Sequence, residues 1–349
     1  MPAAALVLAL ALANGVPGPP PARDFAPNPP AGRAVAAPRE AVGARPRHIV
    51  SLRLDNDIVA GTDKDYSSGF SLALSLDGRG PLGGIWSVFG GSPSRLVSSY
   101  ELGHVISTPA NILAPVPDPS DRPYAGMLYG ALATQALSGD RLDGLKLLAG
   151  VVGPASLAEP IQRAIHTVTL SDQARGWDYQ LRNELLLNVF YEHRRRFTVH
   201  ATPGGWTLQA IPRAGASAGN LLVQAQAEAY VRFGRHLPDD FGSSPARGLG
   251  NVPLPARHAA TGSPNGTGAY VFAGAGVFFV ARNLTLDGNT FSDGPRVQEK
   301  AHAVPAGEVG VSIRNSRFEA TVSFVAWGRE HAAQWRPCRY GSATLTYSY

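Results

Sequence analysis

The chain has 349 residues, 44% of them hydrophobic and only 16% charged, below the ~25% usual for a soluble domain. A net charge of +5, from 31 Lys and Arg against 26 Asp and Glu, is too small and too dispersed to mark a nucleic-acid surface. No run of ~18 apolar residues follows the extreme N-terminus, which excludes a helical membrane protein, and a single cysteine, Cys338, excludes an internal disulfide or a Cys-based zinc site.

Residues 4–13 (AALVLALALA) have the length of a signal-peptide core rather than of a membrane span. No Lys or Arg precedes them, so the stretch reads either as a secretory signal or as one whose basic leader is cut off by a mis-assigned start. Residues 15–46 are rich in Pro, Ala and Gly, bury too little apolar surface to fold, and read as a flexible leader. The chain therefore divides into a leader (1–46) and a folded part (47–349).

From His48 onward the hydrophobic pattern has period two. Phe70, Leu72, Leu74 and Leu76 alternate with small or polar residues. So do Leu185, Leu187, Val189 and Tyr191, then Phe318 to Ala326, and finally Ala343, Leu345, Tyr347 and Tyr349. The pattern predicts strands over 48–55, 66–77, 98–107, 126–138, 141–152, 183–198, 206–213, 218–233, 269–282, 301–313, 316–328 and 339–349. Twelve is an even number of the kind that closes a transmembrane β-barrel, and closure satisfies every backbone group in lipid. A soluble β-sandwich gives the same alternation. The barrel is favoured by the aromatic last residue and by aromatics near strand ends, Trp86, Tyr129, Trp206, Tyr230, Tyr270, Trp327, Tyr347 and Tyr349, which suit interfacial girdles. Inward positions read mostly as Ser, Thr, Asn and Gly. The expected fold is an all-β, twelve-stranded antiparallel transmembrane barrel with long extracellular loops. Its one convincing helix is 155–169, with Leu157, Ile161, Ile165 and Val168 on a stripe and His166 beside it.

Three polar clusters exceed what strands and turns need. Asp55-Asn56-Asp57, followed by Gly61 to Gly69, gathers carboxylates and hydroxyls of the type that bind a hard cation such as calcium, or forms an Asx-type turn. Ser120-Asp121-Arg122-Pro123-Tyr124-Ala125-Gly126 reads as a proline-fixed turn with a local Asp–Arg pair or as a substrate-binding element. His166, Asp172 and Gly176 to Leu181 form the third, where the histidine is either structural or a base. No Gly-x-Ser-x-Gly elbow and no His-Glu-x-x-His helix occurs.

Together LRLDNDIVAGTDKDYSSGFSLAL, DRPYAGMLYG and IQRAIHTVTLSDQARGWDYQL resemble, in order, spacing and placement between strands, the outer-membrane lipid A deacylases of the LpxR type. The resemblance spans nearly all of the chain after residue 47. It implies a twelve-stranded barrel of the bacterial outer membrane, exported by a signal peptide, that hydrolyses the 3′-linked acyloxyacyl ester of lipid A with calcium as cofactor. It implies lipid A or lipopolysaccharide as the partner and a monomer as the working form. The family's Asn-Asp pair falls on Asn56 and Asp57, its strand-two hydroxyl on Ser67 and its catalytic histidine on His166. Its carboxylate six residues later is Asp172, one methylene shorter, and a tyrosine two residues beyond is Ala174 here. The family's active-site lysine has no assigned counterpart.

On this resemblance His166 is the general base with Asp172 as its catalytic partner, Asn56 the oxyanion donor, and Asp57 and Ser67 the calcium ligands. Asp121, Arg122 and Tyr124 are candidate substrate-binding residues. Strand parity predicts that Asp55 and Asp57 point inward and Asn56 outward. Arg194, Arg195 and Arg196 read as barrel-end decoration or as lipid A phosphate ligands. Two other functions fit a barrel: a non-catalytic pore or binding protein, and an outer-membrane phospholipase of different specificity.

Overall fold

The computed structural model describes residues 48–57, 66–88, 93–242 and 267–349. The signal-like stretch, the leader and most of the Gly61–Gly69 segment lie outside the described residues. The strands are β1 (His48–Asn56), β2 (Ser68–Asp77), β3 (Arg95–Ser107), β4 (Ala125–Ser138), β5 (Arg141–Val152), β6 (Glu184–Arg195), β7 (Phe197–Ala201), β8 (Trp206–Gly219), β9 (Leu222–Arg235), β10 (Gly268–Asn283), β11 (Ala303–Arg314), β12 (Phe318–Trp327) and β13 (Cys338–Ser348).

Apart from β6 and β7, consecutive strands pair antiparallel, and β1 closes on β13 from Ile49↔Ser348 to Asn56↔Gly341. On the other side β6 pairs with β8. The short β7 is not an extra stave. Arg194 faces Arg213 and Phe197 faces Ala210, the same register on both sides of Arg196, so β6 and β7 are one interrupted strand. Twelve staves close the ring, and each expected strand is present.

Period two explains the two faces. On β6, Leu185, Leu187, Val189 and Tyr191 are exposed, while Glu184, Leu186, Asn188 and Phe190 are buried. Outward apolar side chains are what a lipid-facing wall requires. No helix among the described residues is long and apolar enough to cross a membrane.

Three sequence expectations need correction. Most of the proposed girdle aromatics point into the barrel: Trp86, Tyr129, Tyr230, Tyr270 and Trp327 are buried, whereas Trp206 and Tyr349 are exposed. Tyr66, Trp327 and Tyr340 pack edge to edge inside, at centroid distances of 5.6 and 5.4 Å around the Trp327 ring. The interior is also not lined mainly by Ser, Thr, Asn and Gly. Lys146 donates to Glu101 at 2.5 Å, Tyr129 donates to the other Glu101 oxygen at 3.0 Å, and Arg194 pairs with Glu192 at 2.9 Å. Arg232 pairs with Asp240. Charges in the lumen neutralise one another, because an unpaired buried charge would cost several kcal/mol. The turn expected at 214–217 lies instead at 220–221, because Ala214 to Gly219 carries little hydrophobic contrast. The Arg194–Arg196 run sits at the end of the barrel that holds both chain termini of the ring, with Arg196 paired to Asp140 and Asp239.

The helix α1 (Ala158–Thr169) forms where expected, but its apolar stripe points away from the protein. Leu157, Ile161 and Val168 are exposed, while Ala158, Gln162 and His166 are buried.

Candidate active site

The rim of the barrel away from the termini organises the site. The pairings Asn56↔Ser68, Ser68↔Ile106 and Ile106↔Gly126 put these four residues in one row across β1 to β4. Paired residues share a face, and Leu54, Phe70, Leu72 and Leu102 on these strands are exposed, so the row faces outward. Asp55 and Asp57 are buried and inward, as parity predicts.

Helix α1 lies on the outer side of this wall. Its first residue, Ala158, packs with Ile106, Tyr124 and Trp177. Gly126 is the seat: a Cβ there would lie 2.0 Å from the Ala158 Cβ and 2.4 Å from Ser156 Oγ. Below the row, His104 is covered by the segment leading into the helix, its Nε2 3.0 Å from the Ser156 carbonyl. Leu157 (φ 61°) and Leu170 (φ 55°) bracket α1 in the left-handed region, where a β-carbon is disfavoured. Such outliers persist only where the surroundings impose them, and they gather at functional sites.

His166 sits on the buried face of α1. Its Nδ1 lies 2.5 Å from the Asp172 main-chain carbonyl. A carbonyl only accepts, so in the neutral ring Nδ1 carries the proton and Nε2 presents a lone pair. Asp172 thus meets the imidazole through its backbone, and its exposed side chain makes no part of that bond. Gln162, one turn earlier, accepts from Trp177 Nε1 at 2.8 Å, and Trp177 packs at a tilt against Tyr124, ring centroids 4.8 Å apart.

The Asp55-Asn56-Asp57 cluster divides its work. Asp55 accepts from Arg53 at 2.8 Å and from Tyr66 at 2.9 Å, so it belongs to the interior network. Asp57 is 1% exposed, with its N–H 3.4 Å from the Ser67 carbonyl. Ser67 Oγ lies 2.5 Å from Thr108 Oγ1, and both residues are buried. One carboxylate and two hydroxyls at the top of β1, β2 and β3 form a hard-oxygen donor set of the calcium type, not the thiolate or imidazole set of zinc. No group of three or more His, Cys, Asp or Glu converges among the described residues, so main-chain oxygens and water would complete a calcium shell.

The Asp121–Tyr124 motif is buried and engaged. Asp121 accepts from the Ala110 N–H at 2.7 Å, Arg122 pairs with Glu330, and Tyr124 donates to the Ile112 carbonyl at 3.2 Å. His331 Nε2 lies 3.5 Å from Asp121. Burial and the nearby Arg122 guanidinium push the His331 imidazole below its ordinary range. Sequence reasoning missed Thr108 and His104, because their roles come from strand register and helix docking; Gln162 and Trp177 stand inside the third motif, which by itself assigns them no role.

A closed antiparallel barrel with an apolar outer face and charged pairs along its inner wall is the architecture of an outer-membrane protein. A family profile described as outer membrane protein LpxR matches residues 8–349, and the chain belongs to that family. Among solved structures, LpxR from Salmonella typhimurium is similar at 18% identity and a TM-score of 0.68, covering 86% of this chain and 99% of that one. The β-domain of the Bordetella autotransporter BrkA has 11% identity and a TM-score of 0.41, covering 87% and 98%. The translocator domain of the autotransporter NalP from Neisseria meningitidis has 12% identity and a TM-score of 0.38, covering 89% and 90%. The sequence matches no curated protein.

Proposed function

We propose that this protein is a lipid A 3′-O-deacylase that hydrolyses the 3′-linked acyloxyacyl ester in the outer leaflet, with calcium as cofactor. One observation carries the reading: a buried histidine, its Nδ1 held by the Asp172 main-chain carbonyl, lies on a helix docked outside the barrel wall, where a membrane lipid can reach it. A pore would work through its lumen, and inward charges here are engaged along the wall, Lys146 with Glu101 and Arg194 with Glu192.

In the proposed reaction His166 Nε2 removes a proton from water as the water oxygen attacks the ester carbonyl. The C–O bond to the sugar then breaks, and the imidazolium returns the proton to the leaving alkoxide. The products are a carboxylic acid and a free 3′-hydroxyl. The Asp172 carbonyl holds the ring in the reactive tautomer. Asn56 donates its amide N–H to the developing oxyanion, an interaction worth ~3–4 kcal/mol when well placed. Asp57 and Ser67 would hold calcium, which when bound polarises the ester carbonyl. Three strand spacings from Gly126 to Asn56 amount to ~14 Å, and the rise from Ala158 to His166 is ~12 Å. A helix crossing the strands toward β1 therefore has the reach to bring His166 to Asn56. Asp121, Arg122 and Tyr124 serve by fixing the loop on which the site rests.

The test is mass spectrometry of lipid A from cells with and without expression. Loss of the 3′-acyloxyacyl mass is expected. Unchanged lipid A from membranes containing folded protein would refute the reading, and cleavage of glycerophospholipids instead would favour the phospholipase alternative.

A further inference from the structure

The outer wall below α1 is not smooth. A groove of about 760 Å³ crosses the lipid-facing side of β3, β4, β5, β6 and β8. Its floor is made of small residues, Gly130, Ala149 and Ala218, and its banks are Tyr100, Leu132 and Leu187, all on the outward face. Packing does not explain the glycine. A Cβ at Gly130 would meet only the Glu101 main-chain oxygen, at 3.9 Å. The contrast is with Gly126, four residues up the same strand, where a Cβ collides with α1.

The groove begins four residues down β4 from the seat of the helix. Ile106↔Gly126 lies under α1, His104↔Leu128 comes next, and Leu102↔Gly130↔Ala149 opens the groove. Four residues of strand carry this path ~13 Å toward the membrane centre. We propose that the groove holds the hydrocarbon chain whose ester lies beneath α1, and that it sets the depth at which the carbonyl meets the site. The occupant is an acyl chain because the wall is surrounded by lipid and the lining is almost wholly apolar. This rests on the deacylase reading above.

Hydrocarbon gains no hydrophobic energy on moving from lipid to protein, so the groove acts through close packing and orientation. Filling it should displace the chain and misplace the ester, and a ~1 Å misplacement can cost ~10²-fold in rate. The experiment compares Gly130→Leu and Ala149→Leu with Ala320→Leu, an exposed position on β12 across the barrel. Folding is checked by heat-modifiable gel migration. The first two variants should lose ~10–100-fold in turnover of lipid A bearing its native chains and lose less with shortened chains, while Ala320→Leu stays at the wild-type rate. Folded groove variants that cleave long and short substrates in the wild-type ratio would overturn the proposal. Lipid A retained by purified protein, counted by mass spectrometry, separates the two readings. If wild-type protein cleaves nothing, the deacylase reading fails. The groove is then judged by retention alone, supported if Gly130→Leu lowers it and overturned if it does not.

Discussion

The seat of the helix makes a demanding prediction. In Gly126→Ala the new Cβ would lie 2.0 Å from the Ala158 Cβ, against an ordinary carbon–carbon separation of ~3.5–4.0 Å. The barrel wall is held by its ladders to β3 and β5, so the helix is the partner that moves, by ~1.5–2 Å. His166 travels with it, while Asn56, Asp57 and Ser67 stay on the wall. A shift of ~1 Å in a reacting group can cost ~10²-fold, so activity should fall by at least that factor while the barrel still assembles. The measurement is deacylation of lipid A in isolated outer membranes, with assembly followed by heat-modifiable migration. Gly307→Ala is the control, because a Cβ there meets only the Gly274 main-chain oxygen at 3.5 Å. If Gly126→Ala assembles and keeps wild-type activity, the docking of α1 on the wall does not position the base, and the placement of the site is wrong.

His166→Gln should lower the rate by ~10²–10⁴-fold without loss of assembly, because an amide takes no proton at neutral pH; a near wild-type rate would make the histidine structural. A chelator should abolish activity and calcium, not magnesium, should restore it, with Asp57→Asn raising the calcium concentration required; full activity in chelator would remove the metal from the mechanism. His331 gives a pH effect. Its folded value is pushed down from the 6.5 of a free imidazole, so the folded state resists protonation. The loop packing it supports is complete above ~6.5 and weakens as pH falls below that. Proteolysis of the outer loops should accelerate on acidification, and His331→Gln should flatten the profile; an unchanged profile would sink the argument.

Much of the fold was legible because period two is direct. One residue of slip would turn Leu185 and Leu187 inward and Glu184 out. Alternation did not reveal what lines the lumen, since Glu101 and Lys146 lie on β3 and β5 and meet only through the register of both with β4. Aromatics near strand ends were misread for the same reason: Tyr66, Trp327 and Tyr340 come from three separate segments and form one interior cluster. At the site, the inward Asp57 and outward Asn56 followed from parity. The face of α1 did not, because a stripe of Leu157, Ile161 and Val168 implies burial in a soluble protein and exposure on a helix beside a membrane.

On the proposed function the same reversal places the chemistry outside the barrel: the lumen wall carries paired charges, and the outer rim is where a lipid ester would be met. A loop there would ordinarily move, yet this one is anchored at several points. Tyr124 packs against Trp177, which bonds the helix through Gln162, and Arg122 ties the neighbouring loop to Glu330. Leu157 and Leu170 hold strained backbone at the two ends of α1, which requires that these anchors outweigh the strain. The apolar stripe faces the leaflet while the histidine faces the wall, so a single amphipathic helix can sit in the lipid and roof the reaction. On this argument the rigidity of the closed sheet serves catalysis by fixing one side of the site, and the docked helix supplies the other.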